Sequence, residues 1–271
     1  MMRALYTAAS GMMAQQLNID NISNNLANVQ SVGFKKSRVD FQDLLYAHMQ
    51  DPNATATGGT QIGMGVRAAS TQKNFTQGTV QRTDSPYDLA VQGDGFITVS
   101  TPDGEAYTRD GALKYDATKG EIVNAAGFSI LAKDSSGKVH YGVKMPNGAT
   151  NFTVDPDGTM HCTDAKGSDV KIGQLMLTKF LNPNGLKAIG GNLYVNSADM
   201  RGVAGSHVVG TPNDKNLGLG GIAQGHLEKS NINVVEEMIS IVQAQRAFEM
   251  SQKGVQAADE MMRMTNQMQK G

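Results

Sequence analysis

The chain has 271 residues, 39% of them hydrophobic and 18% charged, and its 24 Lys and Arg against 25 Asp and Glu leave a formal net charge of -1. That length fills one or two ordinary domains, and this apolar content supplies a folded core without surplus, so a second, minor or elongated domain is expected. Near-neutrality gives no long-range pull toward nucleic acid, and the single Cys162 excludes an intramolecular disulfide framework or a multi-cysteine zinc site.

The first element is a helix over Ala4 to Phe34. Apolar residues recur every seven positions along two rows, Leu5, Met12, Ile19 and Leu26 in one and Ala8, Ile22 and Val29 in the other, with Gln15 as the exception. Between Met1 and Phe34 the only charged residues are Arg3 and Asp20. A helix facing water carries mixed charges on its outer side. The Asn, Gln, Ser, Thr, Ala and Gly found there instead hydrogen-bond or pack closely against protein at little desolvation cost. The uncharged surface therefore predicts a helix surrounded by protein, ending near Gly33. Arg3 is followed by polar Gln15, Gln16, Asn18 and Asp20 rather than a compact apolar run, so no secretory signal is expected. No window reaches the roughly 18 apolar residues of a membrane span, and no direct membrane insertion is expected.

The basic group Lys35, Lys36 and Arg38 is read as a solvated loop. Val39 to Met49 has apolar residues at mixed spacing and is read as an irregular or partly helical extended connector. Asp51 to Gly65, rich in Pro, Asn, Thr and Gly, is a loop by composition. From about Val66 to Gln224 the texture changes to short runs: Phe96 to Ser100, Glu121 to Val123, Gly127 to Leu131, Asn151 to Val154, and Ile172 to Phe180. Turn signals at Asp103-Gly104, Asp110-Gly111, Asp157-Gly158 and Asn184-Gly185 separate them, which predicts an antiparallel all-β domain of meandering hairpins closed by a loop from Arg201 to Gly221.

The last segment predicts a second helix. Asn233 with Glu236 forms a capping pair, and Glu236 and Glu237 suit the positive end of the helix dipole. Val234, Ile241, Phe248, Val255 and Met262 recur every seven residues beside the small Ala244, Ser251 and Ala258. Met238, Met250, Met261, Met262, Met264 and Met268 are packing groups of an adaptable helix interface. Two helices of roughly 25 to 35 residues are on the order of 40 to 50 Å long and marginal by themselves. Lateral association of many copies covers the uncharged back, and heterologous packing that does not close gives a helical filament.

The expected fold is therefore α+β. Long N- and C-terminal helices (1–34 and 228–271) are packed as a coiled coil, followed inward by an extended connector with an inserted loop (35–70) and an antiparallel β domain (71–227). Candidate chemistry is sparse. Gly93-Asp94-Gly95 and Gly63-Met64-Gly65 lack the third glycine and strand-to-helix setting of a dinucleotide loop. Asp155 to Gly158 begins like a calcium loop, but Thr159 to His161 do not continue its ligand pattern. His161 and Cys162 need partners that the sequence does not locate. No cofactor, metal or enzymatic activity is expected.

Asn21 to Lys35, Phe41 to Tyr46, Asp88 to Leu113 and Leu227 to Met262 together resemble the bacterial flagellar rod and hook axial proteins, end to end. Gln61 to Val66 and Ile172 to Val195 are most similar to the distal rod members of that family. The resemblance implies a self-assembling rigid tube that carries torque from motor to hook, with an inner layer built on Leu5, Met12, Ile19, Ile22, Leu26, Val29, Val234, Ile241, Phe248, Val255 and Met262. It implies partners in further copies of the chain, proximal rod proteins, the hook protein, and the P-ring and L-ring around the rod. It further implies export without a cleaved signal through the flagellar type III apparatus, with Phe41 and Leu45 as the export motif and the periplasm as the site of assembly. The loop at Ala47 to Thr60 becomes a stiffening element. A hook or proximal rod subunit, or a secreted adhesin or enzyme oligomerised by its helices, are the alternatives.

Overall fold

The structure is a computed structural model, and it describes residues 2–50, 60–134, 137–146, 148–164, 167–196 and 207–268. The chain divides into two compact units, one of Met1–Ala27, Lys36–Asn74 and Ile232–Gly271, the other of Asn28–Lys35 and Phe75–Asn231.

The first unit holds helix α1 (Met2–Ala27), strands β1 (Ser37–Asp43), β2 (Tyr46–Gln50), β3 (Thr60–Gly63) and β4 (Val66–Lys73), and helix α2 (Val234–Met268). The two helices pack against each other, yet the long coiled coil expected from their seams is not formed. A coiled coil needs large apolar knobs inserted along the whole contact. Here Leu5, Met12, Ile19, Leu26, Val234, Ile241, Phe248, Val255 and Met262 are only half-buried. The deepest apolar positions are Ile22 and the small Ala14, Ala244 and Ala258, joined by polar Asn25 and Glu237. Close approach is set by small groups as well. A Cβ on Gly11 would sit 3.5 Å from the Ser251 hydroxyl, and one on Gly254 would sit 4.0 Å from the Ala8 methyl.

Helix α1 stops at Ala27, short of the expected end near Gly33, because Asn28 takes the chain into a turn. The Ser31 N–H and hydroxyl both donate to Asn28, to its carbonyl and side-chain oxygen. Helix α2 starts as predicted: the Asn233 side chain accepts from the Val235 N–H at 3.1 Å and donates to Glu236 at 3.1 Å.

The connector is corrected from irregular or partly helical to a two-stranded antiparallel ribbon. β1 pairs with β4 and β2 with β3, and the Leu44 N–H bonds to the Gly65 carbonyl at 2.8 Å across the break between them. Val66–Lys73 thus belongs to this ribbon rather than to the β domain. The mixed spacing that obscured the strands has a cause, since the register slips between Asp40 and Phe41 and a bulge breaks period-two alternation. The ribbon is fastened to α1 by Asn25, whose side chain donates to the Ser37 carbonyl at 2.8 Å and accepts from the Ser37 N–H at 2.9 Å. Asn21 donates to the same carbonyl. The inserted loop, residues 51–59, lies outside the described residues.

The second unit is a β structure in which every strand pairing among the described residues is antiparallel. A five-stranded sheet includes Thr159–Thr163 and Asp169–Leu175, and a six-stranded sheet includes Phe96–Thr101, Gly104–Thr108 and Leu177–Phe180. The run Ile172 to Phe180, one strand by its sequence, is divided at Met176 and serves both sheets. Within the expected closing loop, His207–Gly210 forms an edge strand of the six-stranded sheet. The core is dense, with Ile97, Val99, Ile122, Ile130, Met160, Leu175 and Leu177 fully buried. A second cluster of Phe96, Tyr107, Phe180, Leu186 and Tyr194 packs with edge-to-face rings, Tyr107 and Phe180 at 4.7 Å between centroids.

Candidate assembly interface

The residues expected to build the interface lie on α1 and α2, half-buried apart from the buried Ile22, except Val29, which lies beyond the end of α1. The sequence reading missed a second apolar row on each helix, one position on and so turned by about 100° from the first. On α2, Val235, Met238, Ile239 and Val242 stand at i, i+3, i+4 and i+7, and all are exposed. Met250, Met261, Met264 and Met268 continue the exposed apolar groups toward the C-terminus. On α1, Tyr6, Met13 and Leu17 are exposed in one row, Met13 at 75% of its surface. An open groove of about 510 Å³, mostly apolar, runs along Ala9, Met12, Met13, Gln16, Leu17 and Asp20 and is closed on one side by Phe248. These exposed faces are legible in the i, i+3, i+4, i+7 spacing. The charged Arg246, Glu249 and Lys253 interrupt them.

Phe41 lies on β1 opposite Ala68, and Leu45 falls at the break between β1 and β2 with 86% of its surface exposed. Neither is absorbed into a core.

Lys35 and Lys36 are corrected from solvated to paired. Within the second unit, the Lys35 ammonium is fully buried, 2.5 Å from Glu228 Oε1, and donates to the Thr76 carbonyl at 2.8 Å. Glu228 Oε1 also accepts from the Gly78 N–H at 2.8 Å, and the Arg109 guanidinium lies 3.6 Å from Oε2 and over the Phe96 ring. Burial lowers the Lys35 pKa, opposed by the Glu228 charge, and burial likewise lowers that of Arg109. Within the first unit, Lys36 pairs with the buried Glu237. The neighbouring Gly33 has φ +67, and a Cβ there would come within 2.7 Å of the Arg109 carbonyl carbon, so only glycine fits. Sequence carried no sign of the acidic partners, which lie far along the chain, at Glu228 and Glu237.

Among the described residues no group of three or more His, Cys, Asp or Glu is placed to hold a metal ion, and no helix is long and apolar enough to cross a membrane. His161 lies between Asp155 and Asp169, one on each ring nitrogen at 3.4 and 3.6 Å, while Cys162 is buried, with its thiol pKa raised by burial. Asp155 to Gly158 forms a turn closed by the Gly158 N–H on the Asp155 carbonyl.

Comparison with known proteins decides the family. Residues 5–35 match the model described as "Flagella basal body rod protein", residues 90–162 the "Flagellar hook protein FlgE/F/G D1 domain", and residues 223–268 the "Flagellar basal body rod FlgEFG protein C-terminal". The flagellar basal-body rod protein FlgG of Borreliella burgdorferi is 38% identical, covering 100% of both chains. The chain belongs to the flagellar basal-body rod protein family. Its likeness extends to the FlgG proteins of Caulobacter vibrioides, 40% identical over 98% of this chain and 99% of that one, and of Bacillus subtilis, 35% identical over 97% of each. The two terminal matches, 5–35 and 223–268, overlap α1 and α2. A crystal structure of the Helicobacter pylori hook protein FlgE2 aligns at 13% identity over 64% of this chain and 47% of that one, with a TM-score of 0.25.

Proposed function

We propose that the chain is a structural subunit of the flagellar distal rod and assembles with its own copies into a rigid helical tube that transmits torque from motor to hook. The observation that carries this reading is that both terminal helices of a rod-family chain present a second apolar face to solvent. Such surface is costly to leave in water and marks a contact with protein. In the assembled rod, α1 and α2 form the inner tube, the β1–β4 ribbon braces neighbouring subunits, and the β unit forms the outer layer. Proximal rod proteins and the hook protein join its two ends, and the P-ring and L-ring surround it where it crosses the periplasm. Export proceeds through the flagellar type III apparatus. Phe41 and Leu45 are exposed on the ribbon and serve that export, and the loop within 47–60 stiffens the tube.

Deleting Met1 to Asn28 leaves a soluble β unit that sediments as a monomer and forms no filament. Filaments from the truncated chain would overturn the inner-tube assignment. Removing Ala47 to Thr60 yields curved or flexible polymers under electron microscopy, and straight ones would refute the stiffening role.

A further inference from the structure

Within the helical unit α1 and α2 run in opposite directions, since Gly11 lies beside Ser251 and Gly254 beside Ala8. A helical tube built from one kind of subunit keeps the direction of each helix along its axis. An α1 that meets the α2 of another copy therefore meets it antiparallel. The outer rows of the two helices fit that sense. On α1 the row is Tyr6, Ala9, Met13 and Leu17, of which Ala9, Met13 and Leu17 line the open groove. On α2 it is Val235, Ile239, Val242 and Arg246, all exposed. The rows are of equal length, about three turns. Each ends in one polar group. Tyr6 closes the α1 row on its N-terminal side, and Arg246, which has no ion-pair partner among the described residues, closes the α2 row on its C-terminal side. Antiparallel packing brings these two ends together.

We propose, resting on the polymer reading above, that the groove along α1 receives the outer row of α2 from a second copy of this chain, with the helices antiparallel and Leu17 set against Val235. Met13 then meets Ile239, Ala9 meets Val242, and the Arg246 guanidinium lies on the Tyr6 ring, a cation–π contact at the rim. At the opposite rim Asp20 passes beyond Val234, the first residue of α2. Its carboxylate stays in water and keeps the hydrogen bond from Gln16 at 3.1 Å. No charge is enclosed among the apolar groups. Moving α2 by two turns in one direction instead sets Asp20 on Ile239 and Met13 on Arg246, and strands both charges on apolar surface. Moving it by two turns the other way carries Met13 and Leu17 past the end of α2 and leaves them in water. Charge and length together select one register. Each copy offers one α1 groove and one α2 row, so the contact is heterologous and every subunit both gives and receives.

The test uses the full chain, and circular dichroism verifies that the substitutions, all at exposed positions, leave the fold intact. Tyr6→Lys sets two cations together and weakens self-association, measured by sedimentation at low salt, by about fivefold or more. Arg246→Glu weakens it by about threefold or more, since a carboxylate then faces the ring. The combined variant places an ion pair at the same point and recovers to within about twofold of the parent. Register is read separately by disulfides. A mixture of Leu17→Cys chains with Val235→Cys chains gives linked dimers under mild oxidation, and the chain carrying both cysteines gives a ladder. Within one chain, where Ser251 stands level with Gly11, those two positions lie about 15 Å apart along the axis, too far for a disulfide, so every link joins two copies. Either variant alone gives no link, and Cys162 is buried. Single substitutions without effect, losses that merely add in the combined variant, links within either variant alone, or links of Leu17→Cys with Val242→Cys in place of Val235→Cys overturn the contact. A parent chain that self-associates without these signatures refutes this contact alone. A parent that remains monomeric at all concentrations refutes the polymer reading and the contact together.

Discussion

The two units bury their apolar residues to different depths. In the β unit Ile97, Val99, Ile122, Ile130, Leu175 and Leu177 are fully removed from solvent, beside a second aromatic cluster. In the helical unit the apolar residues buried among those described are Ala14, Ile22, Ala244 and Ala258. Burial stabilises by about 25 cal/mol per Å² of apolar surface, and three of those four side chains offer only a methyl group. The β unit therefore holds the stability of the isolated chain, while the helices and ribbon wait for neighbours. A two-stranded ribbon is itself marginal in water without further cover.

The sharpest break in this comparison comes from the ion pair inside the β unit. Glu228→Ala leaves the buried Lys35 ammonium beside Arg109 with no carboxylate, and costs about 3 to 5 kcal/mol in urea unfolding of the β unit. Replacing both partners, Lys35→Met with Glu228→Leu, recovers only part of that loss, because the buried Arg109 guanidinium and the Gly78 N–H still lose their carboxylate. Only slightly smaller is the effect of Ile97→Ala, about 2 to 5 kcal/mol by the same measurement, with no change in helical content at the start of the transition. Its counterpart in the helical unit, Ile239→Ala, shifts monomer stability by less than about 0.5 kcal/mol, as for an exposed site, yet lowers the yield of polymer. Between these lies Asn25→Ala. It removes both hydrogen bonds to Ser37 and leaves the ribbon backbone partly unsatisfied, for about 1 to 3 kcal/mol, seen as faster amide exchange at Ser37 and earlier proteolysis within the ribbon.

The β unit also illustrates what could be read in advance. Its short runs and Asp-Gly turns were legible because hairpins are written locally, in alternation and in residues tolerant of positive φ. Gly104 and Gly158 have φ of +126 and +74 as that grammar demands. The cap of α2 at Asn233 and Glu236 was local too. What escaped depends on distance or on competition between signals. Lys35 reads as a solvated cation until Glu228 is brought beside it. Phe41 and Tyr46 read as helical or irregular because a bulge displaced their alternation. The rows spaced by seven on α1 and α2 suggested a coiled coil that is not formed, and their residues are mostly only half-buried. Spacing records which residues share a face and is silent on how deeply each sinks, and here small residues and the ribbon take the deepest positions. The uncharged back of α1 divides in two, since Asn21 and Asn25 are spent holding Ser37 while Met13 and Leu17 remain exposed.

The central claim is that the helical unit is completed by neighbouring subunits whereas the β unit is complete alone. Amide hydrogen exchange on the full chain, as monomer and as polymer, tests it directly. In the monomer, amides of Phe96–Thr101 and Leu177–Phe180 are expected to exchange only by global unfolding, and those of α1 and α2 by local opening at least 100-fold faster, on the order of 3 kcal/mol less protected. In the polymer the helices gain protection approaching that of the β core. Helices as protected in the monomer as the β core, or unchanged on assembly, would contradict the account.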